Sequence, residues 1–215
     1  GYSISFKMIE LSIKYTMLRK TIIYISELLM TTVVKQWLLV SRRLVSHSSF
    51  DEPLHLKKRY VYIANHASYL DPIIMWSVLK IAQRLNGAPT KVMTSAHVYF
   101  SLLRPFIWLL GAFPAKNVSG THSHAGVEGA LHYLKKGYNV AIFPEGKRSL
   151  QSEGRAFHGV SNILAASDSC EMVLIHIMWH EGSWWHRKLE LRACIAPEGL
   201  NRHDPKEIMK YIYSL

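Results

Sequence analysis

The stretch Tyr60-Val-Tyr-Ile-Ala-Asn-His-Ala-Ser-Tyr-Leu-Asp71-Pro72 decides the reading of the fold. Residues 60–64 are β-branched and aromatic and predict a buried strand. Asp71 before Pro72 marks a helix start, because Asp is a favourable N-cap and Pro fits the first helical position. A helix is therefore predicted from Pro72 to about Leu85. The alternation continues downstream. Residues 91–95 predict a second strand, whereas the apolar run 100–110 is interrupted by Pro105 and fits neither class cleanly. Residues 122–136 carry Val127, Ala130, Leu131 and Leu134 at helical spacing, with Gly137 placed as a C-terminal stop. Residues 139–143 predict another buried strand, which runs into Pro144-Glu-Gly-Lys-Arg-Ser149. Residues 171–178 and 188–195 are the last predicted strands, with the loop 180–186 between them. Strands alternating with helices argue for an α/β sheet, whose reactive groups lie in loops beyond the carboxyl ends of strands.

The composition fits such a domain. A chain of 215 residues that is 49% hydrophobic and only 19% charged has the core-forming content of a folded protein, which excludes a disordered chain or a disulfide scaffold. Lys plus Arg number 26 against 15 for Asp plus Glu, a net +11 that favours an anionic partner: a membrane surface, a nucleic acid or a phosphorylated substrate. Cys170 and Cys194 stand in no metal or redox spacing, which points to a reduced, cytosolic environment, and neither reads as a nucleophile.

The first fifty residues have a different character. They hold seven basic residues (Lys7, Lys14, Arg19, Lys20, Lys35, Arg42, Arg43) against Glu10 and Glu27, a net +5 in an otherwise largely apolar segment. Glu27 and Lys35 interrupt the best membrane-spanning window, residues 21–40, and no small-residue cleavage site follows for a secretory signal. At about 100° per residue, Lys20, Tyr24, Glu27, Thr31, Lys35 and Arg42 share one helical sector and leave a broad apolar remainder. Lys7 and Lys14 project elsewhere, which predicts a break near Arg19 and two helices. Such a pair either packs its apolar face on the core or lies in a membrane interface. The expected division is residues 1–47 as N-terminal membrane-associated helices and 48–215 as the α/β domain.

Two loops carry chemistry. His66 and Asp71 stand five apart between a strand and a helix, where the carboxylate can turn back to fix one imidazole nitrogen. A histidine so oriented can remove a hydroxyl proton as the oxygen attacks a carbonyl. The plain alternative is that Asp71 only caps its helix. The second loop, residues 143–149, offers Glu145, the Gly146 backbone, Lys147, Arg148 and Ser149. Guanidinium groups bind phosphate in a bidentate manner, and glycine admits an anion close to backbone N–H groups. An ordinary basic turn would read the same way.

Together these loops resemble the PlsC-like glycerolipid acyltransferases, which include the lysophosphatidic acid acyltransferases. The family block Asn-His-x-Ser-x-x-Asp matches Asn65, His66, Ser68 and Asp71, and the block Phe-Pro-Glu-Gly-x-Arg-Ser matches residues 143–149. Leu110-Gly-Ala-Phe-Pro-Ala-Lys-Asn117 is similar to the second block, with Lys116 and Asn117 where a phosphate-binding Arg usually stands. Val173-Leu-Ile-His-Ile177 stands for the apolar fourth block without its proline, and His158 replaces a lysine in Phe157-His158-Gly159.

The resemblance implies a mostly parallel central sheet flanked by helices and preceded by an N-terminal amphipathic helical pair. It implies a membrane-associated O-acyltransferase that moves a fatty acyl chain from acyl-CoA or acyl carrier protein, as co-substrate, to lysophosphatidic acid, giving phosphatidic acid. His66 and Asp71 would be catalytic. Arg148, with Lys116 as helper, would hold the acceptor phosphate, while Glu145, Gly146 and Ser149 complete that site. No metal or other cofactor is expected, because His122 and His124 lack a third ligand at metal spacing. The implied location is the cytoplasmic face of an anionic membrane, the inner membrane if the source is bacterial. Trp179, Trp184 and Trp185 with Arg187 read either as an interfacial anchor or as core and loop aromatics. The alternatives are another lysolipid acceptor, or a non-catalytic basic membrane-binding protein. No nucleic-acid module is present, so nucleic acid is not an expected partner.

Overall fold

The computed structural model describes residues 15, 17, 18, 20–22, 25, 29, 32, 33, 36, 44–46, 58–68, 71, 75, 88–102, 104–109, 111–116, 125–146, 159–167, 169–180 and 189–215. Among the described residues, seven strands form one sheet: β1 (Leu44–Ser46), β2 (Arg59–Ala64), β3 (Thr90–Thr94), β4 (Ala112–Pro114), β5 (Asn139–Ile142), β6 (Cys170–Trp179) and β7 (Leu189–Ile195). Their spatial order is β1-β7-β6-β2-β5-β3-β4. β2 is central and runs parallel to β5 and β6, and β3 runs parallel to β5 and β4. β7 pairs antiparallel with β6, and β1 follows β7. The expected mostly parallel α/β sheet is what forms.

β2 shows why it lies at the centre. Tyr60, Tyr62 and Ala64 enter one apolar cluster, which also holds Met75, while Val61 and Ile63 enter another. A strand buried on both faces reads as a continuous apolar run, not an alternating one. The second cluster is closed by the helices Ala125–Lys135, Gly159–Ala165 and Pro205–Ser214, each of which buries an apolar stripe on it.

The helix Ala125–Lys135 stops where the sequence predicts. Gly137 takes a left-handed φ of 81°, its N–H donates to the Leu134 carbonyl at 2.9 Å, and Tyr138 N–H donates to the Tyr133 carbonyl at 3.0 Å. This pair of bonds is the Schellman stop, and a residue with a Cβ is strained at that φ. The chain then enters β5 directly. The run 100–110, ambiguous in sequence, contributes a short helix, Arg104–Leu109, with Pro105 in its first turn, where a missing N–H costs nothing.

The segment 1–47 reaches into the sheet, because Leu44, Val45 and Ser46 pair with Leu189, Glu190 and Leu191. The described residues from Tyr15 to Gln36 are helical, on both sides of Arg19, where the expected break falls. The rest of the expected helical pair lies outside the described residues. Lys20 docks this segment on the body: its ammonium donates to the Lys136 carbonyl at 2.9 Å and lies 4.9 Å from the centre of the Tyr138 ring. Burial, and then the nearby Arg59 charge, lowers the Lys20 pKa. Leu18, Ile22, Ile25, Leu29 and Val33 are all exposed. At three- and four-residue spacing these five form one stripe, on the opposite side of the helix from Lys20. Among the described residues no helix is long and apolar enough to cross a membrane.

Candidate active site

The chain leaves the sheet at Asn65, whose side chain continues the β2–β6 ladder. Its amide nitrogen donates to the Ile177 carbonyl at 2.9 Å, and its amide oxygen accepts from Ile177 N–H at 2.6 Å. A side-chain amide thus makes the two bonds a further strand residue would have made. The next residue, His66, stands just past the carboxyl edge of β2.

His66 Nδ1 lies 3.1 Å from Asp71 Oδ2, with the histidine side chain 19% exposed and the aspartate 0%. The same oxygen accepts from the Ala67 N–H at 2.6 Å and the Ser68 N–H at 2.5 Å. Asp71 is itself helical, and these bonds turn its carboxylate back onto the preceding loop. A carboxylate oxygen facing Nδ1 accepts the Nδ1–H hydrogen bond, which leaves the Nε2 lone pair for chemistry. This is the orientation of a general base.

The second loop joins the first. The His66 ring packs against Phe143 with centroids 4.7 Å apart, and the His66 N–H donates to Glu145 Oε2 at 3.4 Å. Gly146 adopts a left-handed φ of 59°, and its N–H closes the turn on the Phe143 carbonyl at 3.1 Å. Glu145 is buried, and its other oxygen accepts from the Tyr213 hydroxyl on the C-terminal helix. Adjacent parallel strands β2 and β5 bring these loops together although 79 residues separate His66 from Glu145. Their first backbone amides are already committed: those of His66, Ala67, Ser68 and Gly146 all donate within the site.

Lys116 is exposed just beyond β4, at the same edge of the sheet. Three strand spacings separate β4 from β2, roughly 14 Å at about 4.8 Å each, so Lys116 does not join the His66 cluster. Arg148 and Ser149 lie outside the described residues, as do Asn117, His122, His124, His158, Trp184, Trp185 and Arg187. No group of three His, Cys, Asp or Glu arranged for a metal occurs among the described residues. Burial raises the pKa of both Cys170 and Cys194, which keeps them as thiols and poor nucleophiles.

Two contributors were not singled out as site residues from sequence: Tyr213, just described, and Trp179. Trp179 packs on the cluster around Tyr62, and its indole N–H donates to Asp71 Oδ1 at 3.0 Å. It is a partly buried aromatic packed on the core. A tryptophan at the end of a strand bordering β2 was the available signal, since a partly buried indole N–H needs an acceptor.

A histidine held by a buried aspartate at the carboxyl edge of a parallel sheet is an arrangement able to take the proton of a hydroxyl. Residues 46–178 match the family model described as Acyltransferase, which is more than half of the chain. The chain belongs to this acyltransferase family. Among solved structures it is similar to the 1-acyl-sn-glycerophosphate (LPA) acyltransferase PlsC from Thermotoga maritima. The match has 17% sequence identity, a TM-score of 0.56, and covers 91% of this chain and 77% of that one. At that identity the likeness concerns the fold. No curated protein matches the chain.

Proposed function

We propose that this acyltransferase moves a fatty acyl chain from acyl-CoA or acyl carrier protein to the free hydroxyl of lysophosphatidic acid, giving phosphatidic acid at a membrane surface. The observation that carries the reading is the His66–Asp71 pair, with its carboxylate turned back to the imidazole. His66 Nε2 takes the hydroxyl proton as the acceptor oxygen attacks the thioester carbonyl. A carbon–oxygen bond forms, the carbon–sulfur bond breaks, and the proton passes to the leaving thiolate. The chain requires no covalent acyl-enzyme in this scheme. Arg148 grips the acceptor phosphate beside Glu145, Gly146 and Ser149, and Lys116 adds positive charge along the same edge of the sheet.

The exposed stripe from Leu18 to Val33 supports interfacial docking, because the helix bearing it meets the protein body through Lys20 on its other side. An amphipathic helix with basic residues suits the anionic cytoplasmic face. A second reading keeps the reaction and changes the acceptor to another lysolipid. It is favoured by Asn117 and His158, which stand where the family pattern has cationic residues. The deciding experiment incubates purified protein with labelled acyl-CoA or acyl carrier protein and a panel of lysolipids. Phosphatidic acid as the main product supports the first reading, and preferential acylation of a different lysolipid supports the second.

A further inference from the structure

We infer that Trp179 is a positioning residue of the catalytic pair, acting through Asp71; the inference rests on the reading of His66 as general base. Asp71 is wholly buried, and its two oxygens are served unequally. Oδ2 receives His66 Nδ1, Ala67 N–H and Ser68 N–H, all from the loop next to it in sequence. Oδ1 receives the Trp179 indole N–H at 3.0 Å, from 108 residues away.

The loop donors all hold one oxygen of the carboxylate and none holds the other. The indole holds the second oxygen and so fixes the plane of the carboxylate. That plane sets the direction in which Nδ1–H points, and hence where the Nε2 lone pair meets the acceptor hydroxyl. Trp179 can do this because of the register. β6 runs parallel to β2 with Ile175 beside Ala64, so both strands end at the same edge of the sheet. The indole is held from behind by the cluster containing Tyr62, Met75 and Ala64, which also receives Phe143. Met75 lies one helical turn beyond Asp71, so one apolar cluster supports the helix of the acceptor and the ring of the donor.

The test is a cycle of variants in the full chain: Trp179→Phe, Asp71→Asn and the two combined. A hydrogen bond to a charged group is worth enough that its loss lowers kcat by about tenfold or more. Trp179→Phe is expected to lower kcat by about tenfold with both KM values changed less than twofold, and to have little effect in the Asp71→Asn background. Should Trp179→Phe fold poorly, benzothienylalanine at position 179 keeps the ring shape and replaces N–H by sulfur, and the same loss is expected. An unchanged kcat in the single variant, or the same tenfold loss in the Asp71→Asn background, overturns the inference. An Asp71→Asn protein of normal activity would instead overturn the reading of the pair itself.

Discussion

The side chain of Asn65 exchanges two hydrogen bonds with the main chain of Ile177, donating at 2.9 Å and accepting at 2.6 Å. The exchange ends the β2–β6 ladder with a side chain, which frees the backbone to turn and present His66. Replacing Asn65 by Leu leaves a buried N–H and a buried carbonyl on Ile177 unpaired. At about 1–3 kcal/mol for each of the two groups, the loss is roughly 2–6 kcal/mol of stability. Denaturant unfolding of Asn65→Leu checks this, and an unchanged midpoint would contradict it.

Tyr213 ties the C-terminal helix to the second motif loop through Glu145. Tyr213→Phe retains the ring but removes the donor, leaving a buried carboxylate oxygen with one fewer partner. A drop of about three- to tenfold in kcat/KM is expected, with a loss of roughly 1–2 kcal/mol in stability. Steady-state kinetics and thermal melts measure the two effects separately.

His176 gives the fold a pH dependence. Its ring is buried edge-on to Tyr213, with centroids 5.3 Å apart, and it faces Arg192 across the β6–β7 ladder. Burial, and then the Arg192 charge, lowers its pKa from 6.5 to about 4, against a smaller opposing effect of Glu190. Between these values the unfolded chain binds a proton that the folded chain refuses. Stability therefore falls as pH drops from about 6.5 to about 4, by on the order of 2–3 kcal/mol, and this contribution is constant below that window. His176→Phe keeps a ring against Tyr213 and is expected to flatten the stability profile over the same range.

The exposed stripe of Leu18, Ile22, Ile25, Leu29 and Val33 predicts membrane binding that salt weakens only in part. Replacing all five by Ser should reduce flotation with anionic vesicles at least a hundredfold, because each buried aliphatic side chain contributes roughly 1.5–3 kcal/mol. Undiminished flotation of that variant would assign membrane binding to another surface.

The βα alternation was legible because its strands are continuous apolar runs and its helices carry plain signals, such as Gly137 after Lys135. Sequence spacing could not give strand direction at the far edge, where β7 turns back and β1 joins it from within the first 47 residues. Two Asp-Pro pairs mark the remaining difficulty. Asp204 before Pro205 caps its helix, accepting from the Lys206 and Glu207 N–H groups at 2.8 and 3.3 Å. Asp71 before Pro72 instead faces His66, Ala67, Ser68 and Trp179. The two dipeptides are identical, and only the partners brought by the sheet separate a cap from an orienting carboxylate. For the same reason Trp179 and Tyr213 were not assigned to the site: each reaches it through a contact more than 60 residues away in sequence, at 108 and 68 positions.

The central claim is that His66 removes the acceptor proton, and the most direct measurement is the turnover of His66→Ala with labelled acyl donor and lysophosphatidic acid. The variant should melt as the native protein does, because the imidazole is partly exposed and the Asp71 carboxylate keeps its two amide donors and the indole. Loss of a general base typically lowers the rate by about 10²–10⁴-fold, and a fall of that size is the expected result. A folded His66→Ala protein with more than half of the native turnover would contradict the account.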